Sequence, residues 1–207
     1  MLLYLLGFGL LGYLSGSLPF SIWITHLVKG VDVRDSGSGH ATTTNTIRQA
    51  GFGPGALVLI LDIAKGFIPT WLAFHYGSVV QNHYASSFFW IVALTTACVV
   101  IGHCWPVFAQ FRGGMGLACA GGGLLAVSPL AFLIVGAILV ALVLILRHPA
   151  RASVLTGVFA APALWIFGLR GIEFWIAVAA GIVIACRFLI DWNRHYQELW
   201  LDRKKPE

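Results

Sequence analysis

Residues 113–146 read GGMGLACAGGGLLAVSPLAFLIVGAILVALVLIL, the longest apolar run in the chain. As one straight α-helix, a run of this length would extend on the order of 50 Å, well beyond the ~30 Å hydrocarbon core of a bilayer. Ser128 and Pro129 interrupt the run, and proline removes a backbone donor and disfavours helix at the residue before it. We therefore predict two helices here, a short one followed by a longer one.

The rest of the chain is also apolar enough for a membrane. Its mean hydropathy is +0.86, and only 10% of its 207 residues are charged, which excludes an ordinary soluble domain. Five further stretches are long enough to be spans, namely about 2–28, 52–78, 86–107, 152–169 and 172–190. We predict one all-α integral membrane domain over residues 1–207, with about seven transmembrane or membrane-embedded helices.

The positions of the basic residues predict the orientation, since Lys and Arg collect in cytoplasmic loops. With the N-terminus outside and seven helices, every Lys and Arg except Lys65 and Arg170 falls on or beside the inner face. No Lys or Arg precedes Lys29, so a cleavable signal peptide is not indicated and residues 2–28 are expected to remain as a helix. The C-terminus is then cytoplasmic, and the net charge of +5 reflects topology and anionic lipids rather than nucleic acid.

The cysteines predict neither a disulfide framework nor a zinc site, because they are scattered and form no C-x-x-C pair. They are Cys98, Cys104, Cys119 and Cys186. We expect no metal and no cofactor.

A polar segment, SGSGHATTTNTIR at 36–48, falls on the predicted inner side. Its glycines let the backbone approach a ligand closely, and Arg48 supplies a bidentate cationic fork for an oxyanion. A flexible linker would also use Gly and Ser, but it has no need of three consecutive threonines and an arginine leading into a span. The candidate ligand-binding residues are Gly37, Ser38, Gly39, Thr44, Asn45 and Arg48.

A second glycine-rich segment, GHCWPVFAQFRGGMG at 102–116, lies on the same side. Arg112, Gly113 and Gly114 precede the short helix, whose N-terminus favours an anion. The alternative is helix packing, which Gly121, Gly122 and Gly123 further along suit in lipid. A lone histidine such as His103 is more often a packed or anchoring residue, but beside two phosphate-type segments a general acid or base role becomes competitive.

Asp62 and Lys65 lie three residues apart within an apolar stretch. Ionisable groups in a membrane are costly unless they pair, so this spacing predicts a structural ion pair on one helix face. An intramembrane switch in a transporter is the alternative.

Together these segments resemble the acyl-phosphate:glycerol-3-phosphate acyltransferase family (PlsY type) of bacterial inner membranes. The resemblance rests on GSLPF at 16–20, VDVRDSGSGHATTTNTIR at 31–48, DIAKGFIP at 62–69 and GHCWPVFAQFRGGMG at 102–116, in that order. It implies a seven-helix enzyme that transfers a fatty acyl group from acyl phosphate to the 1-hydroxyl of glycerol 3-phosphate, giving lysophosphatidate and phosphate in phospholipid biosynthesis. It also implies a cytoplasmic active site, contact with membrane lipids and contact with the enzyme that makes acyl phosphate.

The resemblance assigns roles to the matching residues. We expect His103, Ser38 and Arg48 to be catalytic. The expected substrate-binding residues are Gly37, Gly39, Thr44, Asn45, Arg112, Gly113, Gly114, Ser153 and His195, with Asp62 and Lys65 as the intramembrane pair.

The chain departs from the family pattern at three places. His40-Ala41-Thr42-Thr43 replaces Asn-Ile-Gly-Ala, Met115 replaces the lysine of Gly-Gly-Lys-Gly, and His195 replaces the asparagine of a C-terminal His-Arg-x-Asn. An acyltransferase with another acceptor, a silent scaffold and a small transporter of a phosphorylated solute are the alternatives. The absence of an internal sequence repeat and the gathering of polar residues at one surface favour an interfacial enzyme over a transporter.

Overall fold

The computed structural model describes residues 2–84 and 88–193, and over these residues it contains helices and no strand. The α-helices within this part of the chain are α1 Leu2–Gly16, α2 Phe20–Lys29, α3 Thr43–Ala50, α4 Phe52–Tyr84, α5 Phe88–Cys104, α6 Leu117–Val127, α7 Pro129–Leu146, α8 Pro149–Ile166 and α9 Ile172–Leu189. Single turns of 3-10 helix lie at Val33–Asp35 and Val107–Ala109.

Six segments of the described chain are long and apolar enough to cross a bilayer. They are Leu2–Lys29, Phe52–Tyr76, Phe89–Ala109, Pro129–Leu146, Pro149–Ile166 and Ile172–Leu189. The helix α6 is apolar but shorter, with 11 residues. This architecture agrees with the predicted all-α membrane fold, whereas the number of crossings and the orientation of the termini stay predictions.

The break predicted at residues 128–129 is present. The helix α6 ends at Val127, and Pro129 is the first residue of α7, where a missing backbone N–H costs nothing. The Ser128 side chain caps α7 by accepting a hydrogen bond from the Ala131 backbone N–H at 3.2 Å. The cap satisfies one of the donors that every helix start leaves open.

One expectation about local structure was wrong. The first apolar stretch is not one continuous helix, because Pro19 disfavours helix at Leu18 and separates α1 from α2. The second half of the polar segment 36–48 forms α3, a helix that was not predicted. Thr42 begins that helix by accepting a hydrogen bond from the Asn45 backbone N–H at 3.3 Å.

Glycines set the closest helix contacts. A Cβ atom on Gly66 of α4 would collide with the Cys119 carbonyl of α6, and one on Gly122 of α6 would collide with the Ile63 carbonyl of α4. The α1–α5 pair is similar, since a Cβ on Gly16 would collide with the Val99 carbonyl. Lipid offers no hydrophobic drive between helices, so this backbone contact is a main source of their association.

We expect Gly122→Val to destabilise the protein by about 1–3 kcal/mol or more, because the atoms in its way are backbone and cannot move aside as a side chain could. Thermal unfolding of the detergent-solubilised protein measures the loss. Gly7→Val is the matched control, since nothing lies within 4 Å of a Cβ there. Equal melting temperatures for the two variants would contradict the proposed α4–α6 contact.

Candidate functional site

The two glycine-rich segments meet at His103. The Ala41 backbone N–H donates to the Gly113 carbonyl at 3.3 Å, and the Gly114 N–H donates to the His103 carbonyl at 3.0 Å. Residues 36–42, the end of α5 and the segment before α6 therefore form one continuous region. These segments are predicted to lie on one side of the membrane, and the structure brings them into contact.

Gly113 and Gly114 leave room for this meeting. A Cβ atom on Gly114 would collide with Nε2 of His103 and lie 2.5 Å from the Ala41 carbonyl oxygen, and one on Gly113 would collide with the His103 carbonyl. A side chain at Gly114 would push the two segments apart, and one at Gly113 would displace the end of α5. The paired glycines thus serve close approach around the imidazole.

A buried carboxylate lies on the other side of the His103 ring. Asp62 Oδ1 is 2.9 Å from Lys65 Nζ and 3.8 Å from His103 Nδ1, and all three side chains are buried. Lys65 Nζ also donates to the Leu18 carbonyl at 2.9 Å. The Nδ1 edge of the imidazole therefore faces the Asp62–Lys65 pair, while its Nε2 edge faces Gly114.

One group of side chains in the described part has the composition of a metal site. Ligand atoms of Asp62, His103 and Cys119 lie within 4.8 Å of one another. A divalent cation there would have to displace the ammonium of Lys65, which already neutralises the carboxylate. We assign the Asp62 carboxylate to the ion pair.

Asn45 braces the first segment from inside. Its side chain is fully buried, and its Nδ2 donates to the carbonyls of Val33, Ser36 and His40 at 2.7, 3.0 and 3.1 Å. The side-chain oxygen lies against Gly37, whose φ of 64° and lack of a Cβ suit this contact. The amide nitrogen thus shapes the loop, and the expected substrate contact of Asn45 stays a prediction.

Arg48 has a buried guanidinium nitrogen that is free to bond an acceptor. Arg48 lies in the last turn of α3, and its Nη2 is buried with no hydrogen-bond partner among the described residues. Ser38 is half-buried and its Oγ accepts from the His40 N–H at 3.4 Å, while Thr44 is half-buried near the start of α3. A buried unpaired donor costs free energy, which a bound oxyanion would recover.

The remaining predicted residues are Arg112, Gly39, Ser153 and His195. Arg112 is exposed beside Gly113, and Gly39 lies in the first loop with a φ of 71°. Ser153 is buried in α8 and its hydroxyl donates to the Pro149 carbonyl at 2.8 Å. His195 lies outside the described residues.

Sequence reasoning missed Arg34, which joins the two segments. Its guanidinium forms an ion pair with Asp32 at 2.6 Å and donates to the carbonyls of Ala109 and Arg112 at 2.8 and 3.3 Å. The D-x-R spacing was the available signal, although nothing in the sequence gives the partner carbonyls. Arg34 is therefore a positioning residue.

Two of the replaced positions are buried in the structure. Met115 is buried in an apolar cluster with Cys104, Ile184 and Phe188. His40 is buried, and its Nε2 lies 3.3 Å from Oδ2 of Asp191, just after α9.

The fold and the site define a multi-pass membrane protein with two glycine-rich segments gathered around a buried histidine. A family model described as glycerol-3-phosphate acyltransferase matches residues 6–199. A glycerol-3-phosphate acyltransferase of Listeria monocytogenes serotype 4a is 37% identical over 196 residues, 94% of this chain and 91% of its own. That of Laribacter hongkongensis is 36% identical over 189 residues, 91% of this chain and 88% of its own.

Solved structures agree with these relatives. The crystal structure of PlsY, an integral membrane glycerol 3-phosphate acyltransferase, in its glycerol 3-phosphate form superposes with a TM-score of 0.76 at 35% identity, covering 92% of this chain and 90% of that one. Its lysophosphatidic acid form gives a TM-score of 0.75 at 34% identity, with the same coverage. The chain belongs to the glycerol-3-phosphate acyltransferase family.

We expect Asn45→Asp to disrupt the first segment although the two side chains have the same shape. The substitution replaces the donating amide with an oxygen that faces three carbonyls, and each unpaired buried group costs about 1–3 kcal/mol. Thermal unfolding in detergent measures the effect, with the exposed Gln110→Glu as an amide-to-acid control. A variant as stable as the wild type would contradict the bracing role.

The Asp32–Arg34 ion pair makes the hydrogen bonds from Arg34 to the Ala109 and Arg112 carbonyls sensitive to acid. Hydrogen bonds from Arg34 hold the pKa of the Asp32 carboxyl below its ordinary value of 3.8. Because the folded-state pKa is the lower one, the stabilisation is present above the ordinary value and is lost as the pH falls through the folded value. We expect residues 107–113 to lose hydrogen-exchange protection below about pH 4.

Hydrogen exchange followed by mass spectrometry, corrected for intrinsic rates, measures this protection. Asp32→Asn should expose residues 107–113 already at neutral pH and flatten the acid transition. The same pH profile in both proteins would show that the pair does not hold the segments together.

Proposed function

We propose that this protein transfers a fatty acyl group from acyl phosphate to the 1-hydroxyl of glycerol 3-phosphate, on the cytoplasmic face of a bacterial inner membrane. The products are lysophosphatidate and phosphate, in phospholipid biosynthesis. One observation carries the proposal: two glycine-rich segments meet at the Nε2 edge of His103, where Gly114 separates the imidazole from Ala41.

The substrates suit such a site because both carry a phosphate group. The relatives are named for glycerol 3-phosphate, and the solved neighbours are described in glycerol 3-phosphate and lysophosphatidic acid forms. Arg48 offers a buried guanidinium nitrogen, and Ser38 with the loop amides offers neutral donors. Donors held in place before the reaction stabilise charge as it develops, without reorganisation.

The chemistry needs no nucleophile from the protein. The 1-hydroxyl oxygen attacks the acyl carbonyl carbon, the new ester bond forms, and the bond from that carbon to the phosphate oxygen breaks. The electron pair of that bond leaves on phosphate, and the hydroxyl proton leaves with it. His103 orients or protonates a phosphate oxygen, while Arg48 balances the charge on the leaving group.

An apolar crevice offers a place for the acyl chain. It has a volume of about 120 Å³ and runs between α6, α7, α8 and α9 from Leu117 and Ile184 to Phe132. The end of the crevice at Leu117 and Ile184 is next to the apolar cluster that holds Met115. A chain lying there would keep its methylene groups in an apolar environment while the acyl carbonyl reached the polar segments.

The proposal includes the source of the donor. Acyl phosphate is an activated mixed anhydride, so we expect direct contact with the enzyme that makes it to shorten its exposure to water. Membrane lipids surround the apolar helices, and the product joins them.

We expect His103→Ala and Arg48→Ala to abolish transfer of labelled glycerol 3-phosphate into lysophosphatidate by the purified protein in detergent. The first removes the group that meets the leaving phosphate, and the second removes the buried guanidinium nitrogen that would bind it. Arg170→Gln is the control. This arginine lies in the turn between α8 and α9, where it stacks on Trp165 of α8.

The same assay separates the alternatives. Acyl phosphate, acyl-CoA and acyl carrier protein are compared as donors, and several polyol phosphates as acceptors. Wild-type rates in both site variants would show that the site is elsewhere, and the absence of product with every pair would support a transporter or scaffold.

A further inference from the structure

A second buried guanidinium lies beside the candidate site. Arg187 belongs to the last turn of α9, and its side chain is 12% exposed. Its Nη1 is 3.6 Å from Oδ2 of Asp191, which is longer than a hydrogen bond. Its Nε is buried with no hydrogen-bond partner among the described residues. The charge is thus desolvated, and its donors are incompletely used.

Arg48 and Arg187 share this property. Within residues 2–84 and 88–193, these are the two arginines with a buried nitrogen that lacks a hydrogen-bond partner. Leaving a charged donor in this state is costly, and burial of such groups is common where a ligand completes them. A phosphate oxygen is a suitable acceptor, because guanidinium nitrogens match its geometry in pairs.

Contacts from α9 bring Arg187 to the glycine-rich segments. The Oδ2 of Asp191 lies 3.3 Å from Nε2 of His40, so the same carboxylate approaches the first segment and the guanidinium. On the adjacent face of α9, Phe188 packs in the apolar cluster with Met115 of the second segment.

The second segment brings little charge of its own to this place. Met115 is neutral and lies buried in the apolar cluster, and Arg112 is exposed. Two substrate phosphates would therefore face Arg48 and few other buried cations. The end of α9 offers another.

We propose that Arg187 is a substrate-binding residue whose guanidinium binds a phosphate group within the site formed by residues 36–48 and 103–116. The inference rests on the proposed function for the identity of the substrates, but not for the binding of phosphate itself. Asp191 and His40 position the guanidinium when no phosphate is bound. The site then has two arginines with a buried nitrogen, Arg48 from α3 and Arg187 from α9.

A purely structural role makes a different prediction. If Arg187 only pairs with Asp191 to fasten α9 to the first segment, removing either partner should have the same effect. If Arg187 binds phosphate, Asp191→Asn keeps the cation and should preserve phosphate affinity, or strengthen it by removing the competing carboxylate.

The test is the thermal stabilisation of the full-length protein in detergent by inorganic phosphate, at constant ionic strength. We expect Arg187→Gln to raise the half-saturating phosphate concentration roughly ten- to a hundredfold, the loss typical of one charge-assisted hydrogen bond. Arg187→Lys should lie between Arg187→Gln and the wild type. Asp191→Asn should stay within about threefold of the wild type or bind more tightly.

Arg147→Gln is the control, because Arg147 is exposed at the end of α7. Size-exclusion profiles and melting temperatures without phosphate establish that each variant is folded. Should Arg187→Gln misfold, the Arg187→Lys and Asp191→Asn pair still distinguishes the two roles. Wild-type affinity in Arg187→Gln, or equal losses in Arg187→Gln and Asp191→Asn, would overturn the inference.

Kinetics then identify the phosphate. A rise in KM for glycerol 3-phosphate alone assigns Arg187 to the acceptor, and a rise in KM for acyl phosphate alone assigns it to the donor. If the wild type binds phosphate through Arg187 but makes no lysophosphatidate, the binding inference stands and the proposed function fails. If product forms and neither KM changes in Arg187→Gln, the binding inference fails and the proposed function stands.

Discussion

The carboxylate of Asp62 is buried among apolar helices, where an isolated charge would be prohibitively costly. Lys65 neutralises it from one turn away on the same helix, at 2.9 Å. The lysine in turn bonds the Leu18 carbonyl, in the break between α1 and α2, and its ammonium lies 5.5 Å from the ring centre of Phe20. One ion pair thereby ties α4 to the break in the first apolar stretch and approaches the end of α5.

The placement of His103 depends on this arrangement. Its Nδ1 edge lies near the carboxylate, so its Nε2 edge faces the glycine-rich segments. Gly114 lies at that edge, and Arg34 connects the two segments through hydrogen bonds to the Ala109 and Arg112 carbonyls. Polar groups that would be costly alone in the bilayer are therefore in contact with one another. The ion pair faces one edge of the imidazole, and the glycine-rich segments face the other.

Much of the fold could be predicted because its determinants are local. A proline that begins α7 and an acid three residues from a lysine follow from backbone and charge chemistry alone. The same rule applied to Pro19 predicts the α1–α2 break. The helix α3 could not be predicted this way, since it is short and polar, and Asn45 and Gln49 within it bond the Val33 carbonyl at long range.

The candidate site likewise has features that follow from local sequence and features that depend on long-range contacts. The composition of residues 36–48 and 103–116 marks both segments as candidate binding segments. It does not predict their mutual contact through Ala41 and Gly113. Arg34 and Arg187 looked like topological charges. Each has an acid close by in sequence, Asp32 or Asp191, but the groups that connect them to the site are distant in sequence. Met115 occupies an apolar cluster, which a motif comparison alone does not reveal.

The short length of α6 affects how far its first residue lies from the far end of α7. Its 11 residues rise about 16 Å, whereas the 18 residues of α7 rise about 27 Å. Two helices that share the Ser128 turn and run back against each other would leave the start of α6 on the order of 10 Å short of the far end of α7. If the far end of α7 reaches the headgroups, the imidazole beside that start lies in a recess on the order of 10 Å below them. Under the proposed function, a lipid-soluble donor would then reach it by lateral diffusion within the hydrocarbon, while the water-soluble acceptor would descend from the headgroup side.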